Sequence, residues 1–168
     1  MSCALTTGFT LDCKDSVGGI KSIHLIDWAD GLFTIASGEA TATTATSGST
    51  FTYELPKATG SLTVTTNVSQ ENGTTFNQAD VVFRLRKLSK AKRNELALLS
   101  AGRVYCIVKD NTDNYWLVGN EYGCDVTAMT SETGTAMGDN VGYNVTLSAI
   151  EADSPVLVGS AVITELGI

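Results

Sequence analysis

From Ile20 onward, apolar and polar residues alternate in short runs broken by Gly, Asn and Asp. In "GGIKSIHLIDW", Ile20, Ser22, His24 and Ile26 fall on one side, and Lys21, Ile23, Leu25 and Asp27 on the other. That period of two predicts a strand buried on at least one face. "ADG" supplies a turn and "LFTIA" a second strand. Residues 37–50, "SGEATATTATSGST", contain no large apolar residue and are predicted to be a mobile or partner-ordered loop. "FTYEL" ends at a Pro56 break. In "GSLTVTTNVS", Leu62, Val64, Thr66 and Val68 then fall on one face, and Ser61, Thr63, Thr65 and Asn67 on the other. "QENG" signals a hairpin, and "TTFNQADVVFRLRKL" reads as its long returning strand.

The period changes at Ser89. Ser89 reads as an N-cap, "KAKRNELALLSA" is built mostly of strong helix formers, and Gly102 follows as a C-terminal glycine. Leu96, Leu99 and Ala101 are the residues expected to face a sheet. "RVYCIVKD" and "YWLVG" read as strands around the turn "NTDN". A short strand, a Gly-containing loop and a long strand from Gly142 to Ile150 follow, and "VLVGSAVIT" closes the chain. About ten strands and one helix predict an all-β fold: a β-sandwich or partly closed β-barrel with one flanking α-helix and extended loops. Residues 1–17 lack a regular pattern and read as an N-terminal arm, leaving 18–168 as one domain.

Composition agrees with this reading. At 168 residues and 43% hydrophobic content the chain can bury a core, and it is rich in the small and β-branched residues that strands favour. "MSCALTTGFTLDC" has neither the basic region nor the continuous apolar run of a signal peptide, and no stretch reaches the roughly 18 apolar residues of a membrane helix. Cys3, Cys13, Cys106 and Cys124 are scattered and read as reduced thiols, with a Cys3–Cys13 disulfide as the minor alternative.

Charge is the unusual feature. The formal net charge is −7, yet seven of the 11 basic residues lie between Phe83 and Arg103: Arg84, Arg86, Lys87, Lys90, Lys92, Arg93 and Arg103. Cations in the first turn of a helix oppose its dipole at a cost of about 0.3–1 kcal/mol each when exposed. No aromatic residues interleave with them to stack on bases. A carboxylate patch on another copy of an acidic protein fits Arg84, Arg86, Lys87, Lys90, Lys92 and Arg93 better than nucleic acid does, so they are the expected subunit interface. Catalytic signatures are lacking: there is no nucleophile elbow, phosphate loop or zinc-protease motif, and the single histidine, His24, sits in an alternating strand. "DNTDN" at 110–114 lacks the calcium-loop spacing and reads as a turn. Neither an enzymatic activity, a metal nor a cofactor is expected.

The order of elements resembles that of the tail tube superfamily of tailed phages, in particular structural proteins of the Bacteroidetes-phage type. The resemblance runs over roughly 18–155, through "IKSIHLIDW", the hairpin around "NGTTF", "VVFRLRKL", "SKAKRNELALL", "GRVYCIVKDNTDNYWLVG" and "GTAMGDNVGYNVTLSAIEADSP". It implies a virion structural protein of the tail, made in the host cytoplasm. It further implies hexameric rings whose strands join into a barrel around a lumen, stacked into a tube and contacting other virion proteins. DNA would pass transiently along an acidic wall, and no membrane would be involved. Ser61, Thr63, Thr65, Asn67, Thr75 and Asn77 are the expected lumen-lining residues. Arg84 and Arg86 are expected to face outward or across an interface, because cations in the lumen would hold phosphates. The alternatives are a capsid decoration or head–tail ring protein on a similar sandwich and, as a different class, a carbohydrate-binding sandwich using Trp28, Tyr115, Trp116 and Tyr122.

Overall fold

A computed structural model describes residues 5–168. Within them the elements are β1 (Ile20–Asp27), β2 (Phe33–Ala36), β3 (Glu39–Thr43), β4 (Thr50–Glu54), β5 (Gly60–Ser69), β6 (Thr74–Arg86) and α1 (Lys90–Ala101), then β7 (Val104–Asp110), β8 (Tyr115–Val118), β9 (Asp125–Glu132), β10 (Gly142–Glu151), β11 (Val156–Val158) and α2 (Ser160–Leu166). They form two sheets. A seven-stranded sheet runs β2-β3-β11-β8-β7-β1-β4, and a four-stranded sheet runs β5-β6-β10-β9. The fold is mostly β, consistent with the predicted sandwich and its flanking helix.

The two sheets face each other across one core. Ile23 and Leu25 of β1 and Cys106 and Val108 of β7 meet Val81, Phe83, Val145 and Leu147 from the other sheet. Leu96 and Leu99 of α1 join this cluster, while Ala101 is exposed. The seven-stranded sheet has a second buried face, where Ile26, Tyr105, Ile107, Tyr115 and Leu117 pack with Val162 and Leu166 of α2. This explains why "VYCIV" in β7 is a continuous apolar run rather than an alternating one. Tyr105 lies wholly inside, and its hydroxyl donates to the Ala29 carbonyl at 2.6 Å.

Three expectations need correction. The segment 37–50 is not a free loop. Ser37 and Gly38 take φ of 54° and 81°, as the tight turn of a two-residue hairpin requires, and β3 follows directly. β3 pairs with β2 and, in parallel, with β11, and its Ala40 is fully buried. Main-chain pairing holds this stretch, which its small side chains do not reveal. Likewise, the strand expected to be short before the Gly-containing loop is eight residues long, β9 running from Asp125 to Glu132. Finally, "VLVGSAVIT" divides into a three-residue strand and a second helix. Gly159 donates to the Ala40 carbonyl at 2.9 Å, and Gly167, at φ 71°, closes α2 in the left-handed conformation. A short apolar run does not distinguish strand from helix.

The cap of α1 follows the sequence at its start. Ser89 Oγ accepts from the Lys92 amide at 3.2 Å. At the other end Gly102 donates to the Leu98 carbonyl at 3.2 Å, but with φ of −108° it does not need to be glycine. Gly119 does: φ is 84°, and a Cβ there would lie 2.7 Å from Cys124 Sγ and 2.8 Å from its main-chain nitrogen. Three variants therefore test the packing by urea denaturation. Phe83→Ala, at the centre of the inter-sheet core, should lose about 3–5 kcal/mol. Gly119→Ala should be destabilised by more than about 1 kcal/mol, whereas Gly102→Ala should match the parent or exceed it.

Candidate functional site

The four-stranded sheet has one face in the core and one in solvent. Strand pairing decides which residues go where, since neighbours directly opposite share a face. Ser61 lies opposite Val82, Thr63 opposite Asp80, Thr65 opposite Gln78 and Asn67 opposite Phe76. Across β6, Asp80 meets Ser148, Val82 meets Thr146, and Arg84 meets Asn144. Thr130 and Glu132 of β9 extend the same rows. The outer face is thus dominated by Ser, Thr, Asn and Gln, with Phe76, Val82, Ala128 and Ile150 as apolar exceptions. Asp80 is tied into it, accepting from Ser148 Oγ at 2.6 Å and from Gln78 Nε2 at 3.1 Å.

Ser61, Thr63, Thr65 and Asn67 are all on this face, but Thr75 and Asn77 are not. Asn77 pairs with Thr66 and Thr75 with Val68, so both share the inward row of Ala79 and Val81. The Thr66 hydroxyl donates to Asn77 Oδ1 at 2.7 Å, and Asn77 Nδ2 reaches the Ala152 carbonyl at 2.9 Å. They look polar because the hairpin overshoots the core at that end. Arg84 and Arg86 are displaced in the opposite sense. They share the polar face with Ser61 and Thr63 rather than pointing away from it, and Arg84 Nε donates to Asn144 Oδ1 at 3.0 Å.

The remaining cations gather at the corner between β6 and α1. Lys87 adopts φ of 64°, turning the chain toward the helix. Lys92 Nζ donates to the carbonyls of Arg86 and Lys87, so this side chain closes the corner. Lys90 and Arg93 project from the first turn of α1. The ion pairs among the described residues, Lys21–Asp113 and Lys109–Asp113, lie elsewhere. Arg84, Arg86, Lys87, Lys90, Lys92 and Arg93 therefore have no carboxylate partner among the described residues.

Sequence reasoning missed what bounds the polar face. The four-stranded sheet has two unpaired edges, β5 with ten residues and β9 with eight. β5 carries no charged residue and no proline, the usual guards of an exposed edge. Alternation marked these segments as strands, but which strands end a sheet depends on pairing, which no local pattern encodes.

Other candidate chemistry resolves into supporting structure. His24 is buried between two hydroxyls, Thr52 Oγ1 at 2.9 Å from Nδ1 and Ser22 Oγ at 3.1 Å from Nε2. Burial, and then the charge of Lys109, lower its pKa to about 4. The turn at 110–114 is organised by Asp110. Its Oδ1 accepts from the amides of Thr112 and Asn114 at 2.8 and 2.9 Å, and its Oδ2 from the Trp116 indole at 3.2 Å. Burial alone would raise that carboxyl; these hydrogen bonds hold it below its ordinary value. Among the described residues, no group of three or more His, Cys, Asp or Glu side chains could hold a metal. Cys106 and Cys124 are buried thiols whose pKa burial pushes up. The Cys3–Cys13 alternative lies partly outside the described residues. The aromatic set does not form one platform: Tyr115 is in the second core, Trp116 faces the inter-sheet side, and Trp28 lies under Arg103, 4.4 Å from its ring centroid. No helix among the described residues is long and apolar enough to cross a membrane.

Comparison with protein-family models, with curated proteins and with solved structures gives no match for this chain.

The histidine supplies a direct test of the hydroxyl pocket. A folded-state pKa below the ordinary 6.5 means that the stability gained by keeping His24 neutral is fully present above about pH 6.5 and is lost as pH falls through about 4. An NMR titration of the imbedded imidazole should give a midpoint near 4, and His24→Gln should flatten the loss of urea resistance over that window. A midpoint at 6.5 would place the ring in solvent.

Proposed function

We propose that this chain is a virion structural protein, most simply the tail tube subunit of a tailed phage, which assembles into stacked rings around a DNA-conducting lumen. The observation that carries this reading is the four-stranded sheet: one small, polar face bounded by two long unpaired edges. Its strands run antiparallel at each step, β5 to β6, β6 to β10 and β10 to β9. β5 and β9 therefore point in opposite directions. A second copy rotated about an axis running along the strands sets its β5 against the first copy's β9 as one more antiparallel step. Repeated, this head-to-tail contact closes into a ring and removes both exposed edges of this sheet. The six-fold number comes from the family resemblance alone.

In such a ring the polar face forms the inner wall, and Ser61, Thr63, Thr65 and Asn67 line it. Small neutral side chains offer sliding DNA few strong contacts, because phosphate binding is dominated by Lys and Arg. The wall is not uniformly acidic, however. Asp80, Asp125 and Glu132 share it with Arg84 and Arg86, which stand together near one end. This modifies the expectation of an acidic conduit: the cations form a local belt at one mouth. Lys90 and Arg93, on the helix corner, are the charges free to meet carboxylates of a neighbouring copy.

Negative-stain microscopy of the purified protein should show rings or tubes. Monomers that attach only to capsids would instead favour the decoration reading. Val68→Lys on β5 and Met129→Lys on β9 place a charge on an exposed edge position. Each should abolish ring formation while changing monomer stability by no more than about 0.5 kcal/mol. Lys90→Glu with Arg93→Glu should weaken assembly and leave the monomer folded; Lys92 is left intact because it closes the corner. Unaltered assembly in the edge variants would remove β5–β9 pairing as the contact.

A further inference from the structure

The N-terminal arm and a groove at its root are unsatisfied in complementary ways. From residue 5 to residue 19 the arm is exposed throughout and forms neither helix nor strand. Leu5, Phe9 and Leu11 are at or near full exposure. They are spaced at even intervals, so in an extended chain they lie on one side, with Thr10 and Asp12 on the other. Three large apolar side chains held in water on one edge of an unpaired segment are poorly explained by an isolated chain, because burying each one removes its apolar surface from water.

The groove lies where the sheets part beside β5. Ile20, Leu62, Val64, Val108, Trp116 and Pro155 line it, and its volume is about 530 Å³. Val64 belongs to the inward row of β5, yet it is left partly exposed because nothing covers it from the opposite sheet. The arm starts at the rim: Gly18 and Gly19 are pinned there, their carbonyls accepting from Asn111 Nδ2 at 2.7 Å and the Asn111 amide at 3.2 Å. Ser16 and Val17 of the same arm still line the rim, but Leu5, Phe9 and Leu11 stand in solvent and do not fill the space.

We infer that the groove receives the arm of a second copy, with Phe9 and Leu11 entering side by side beneath Trp116 and against Leu62 and Val64. The occupant is identified by chemistry present in the chain itself: an extended segment, apolar on one side and polar on the other, tethered so that it projects away from its own body. The contact is separate from β5–β9 pairing. It uses the inward face of β5 rather than the strand's edge, and it requires only that two copies meet, not that they form a tube.

Disulfide trapping tests this on the full-length protein. In a Cys3→Ser, Cys13→Ser background, one sample carries Leu11→Cys and a second carries Val64→Cys, with Leu62→Cys as an alternative groove position. Mixed and mildly oxidised, they should yield a cross-linked heterodimer. Adding Phe9→Asp to the arm should lower its yield about tenfold to a hundredfold. Leu11→Cys mixed with Thr65→Cys, on the opposite face of β5, gives the background. A yield no higher than that background overturns the inference. So does a chain carrying both cysteines that closes only on itself, since the arm would then serve its own groove. If rings and tubes are absent but the heterodimer forms, the arm contact stands and the tube reading falls.

Discussion

The architecture depends on the pairing of β6 with β10. Ten residue pairs run from Gly142–Arg86 to Glu151–Asn77 without a register shift. On the inward side this sets Val145 opposite Phe83, Leu147 opposite Val81 and Ala149 opposite Ala79, the rows that meet the seven-stranded sheet. On the outward side the same register puts Ser148, Thr146 and Asn144 beside Asp80, Val82 and Arg84. A slip of one residue would exchange these rows and bury polar side chains against the core, so the register is held by hydrophobic burial as well as by main-chain hydrogen bonds. Everything inferred about the polar face follows from it.

The two sheets play different roles. The central strands of the seven-stranded sheet are covered on both faces, and β7 is almost wholly inside. Three of the polar groups near it are satisfied locally: His24 by two hydroxyls, Asp110 by its own turn, and Glu151 by the amides of Glu121 and Tyr122 at 2.6 and 3.3 Å. Burial raises the Glu151 carboxyl above its ordinary range despite those amides. The four-stranded sheet is covered on one face only. Its polar face, free edges and cations without carboxylate partners are the features on which the proposed contacts rest.

Much of this was legible in the sequence. Period-two alternation located β1, β5 and β10, "QENG" located the β5–β6 hairpin, and Ser89 located the start of α1. The faces of β5 were separated correctly because one strand's alternation is a local property. Carrying that assignment across the turn to Thr75 and Asn77 failed, since polarity at the overshooting end of the hairpin reflects the absence of a facing sheet rather than orientation. β3 was hidden because Ala and Thr give a strand no apolar signature, and α2 because a short apolar run suits either helix or strand. Sheet edges and the groove are properties of long-range pairing and have no local signal.

The central claim is that β5 and β9 are completed by each other across neighbouring copies. Amide hydrogen exchange reads those hydrogen bonds directly. When the protein is brought from dilute to assembling concentration, amides within 60–69 and 125–132 that point away from β6 and β10 should become strongly protected, while those of the short edges β2 and β4 should not. Unchanged exchange along β5 and β9 in an assembled sample would contradict the account.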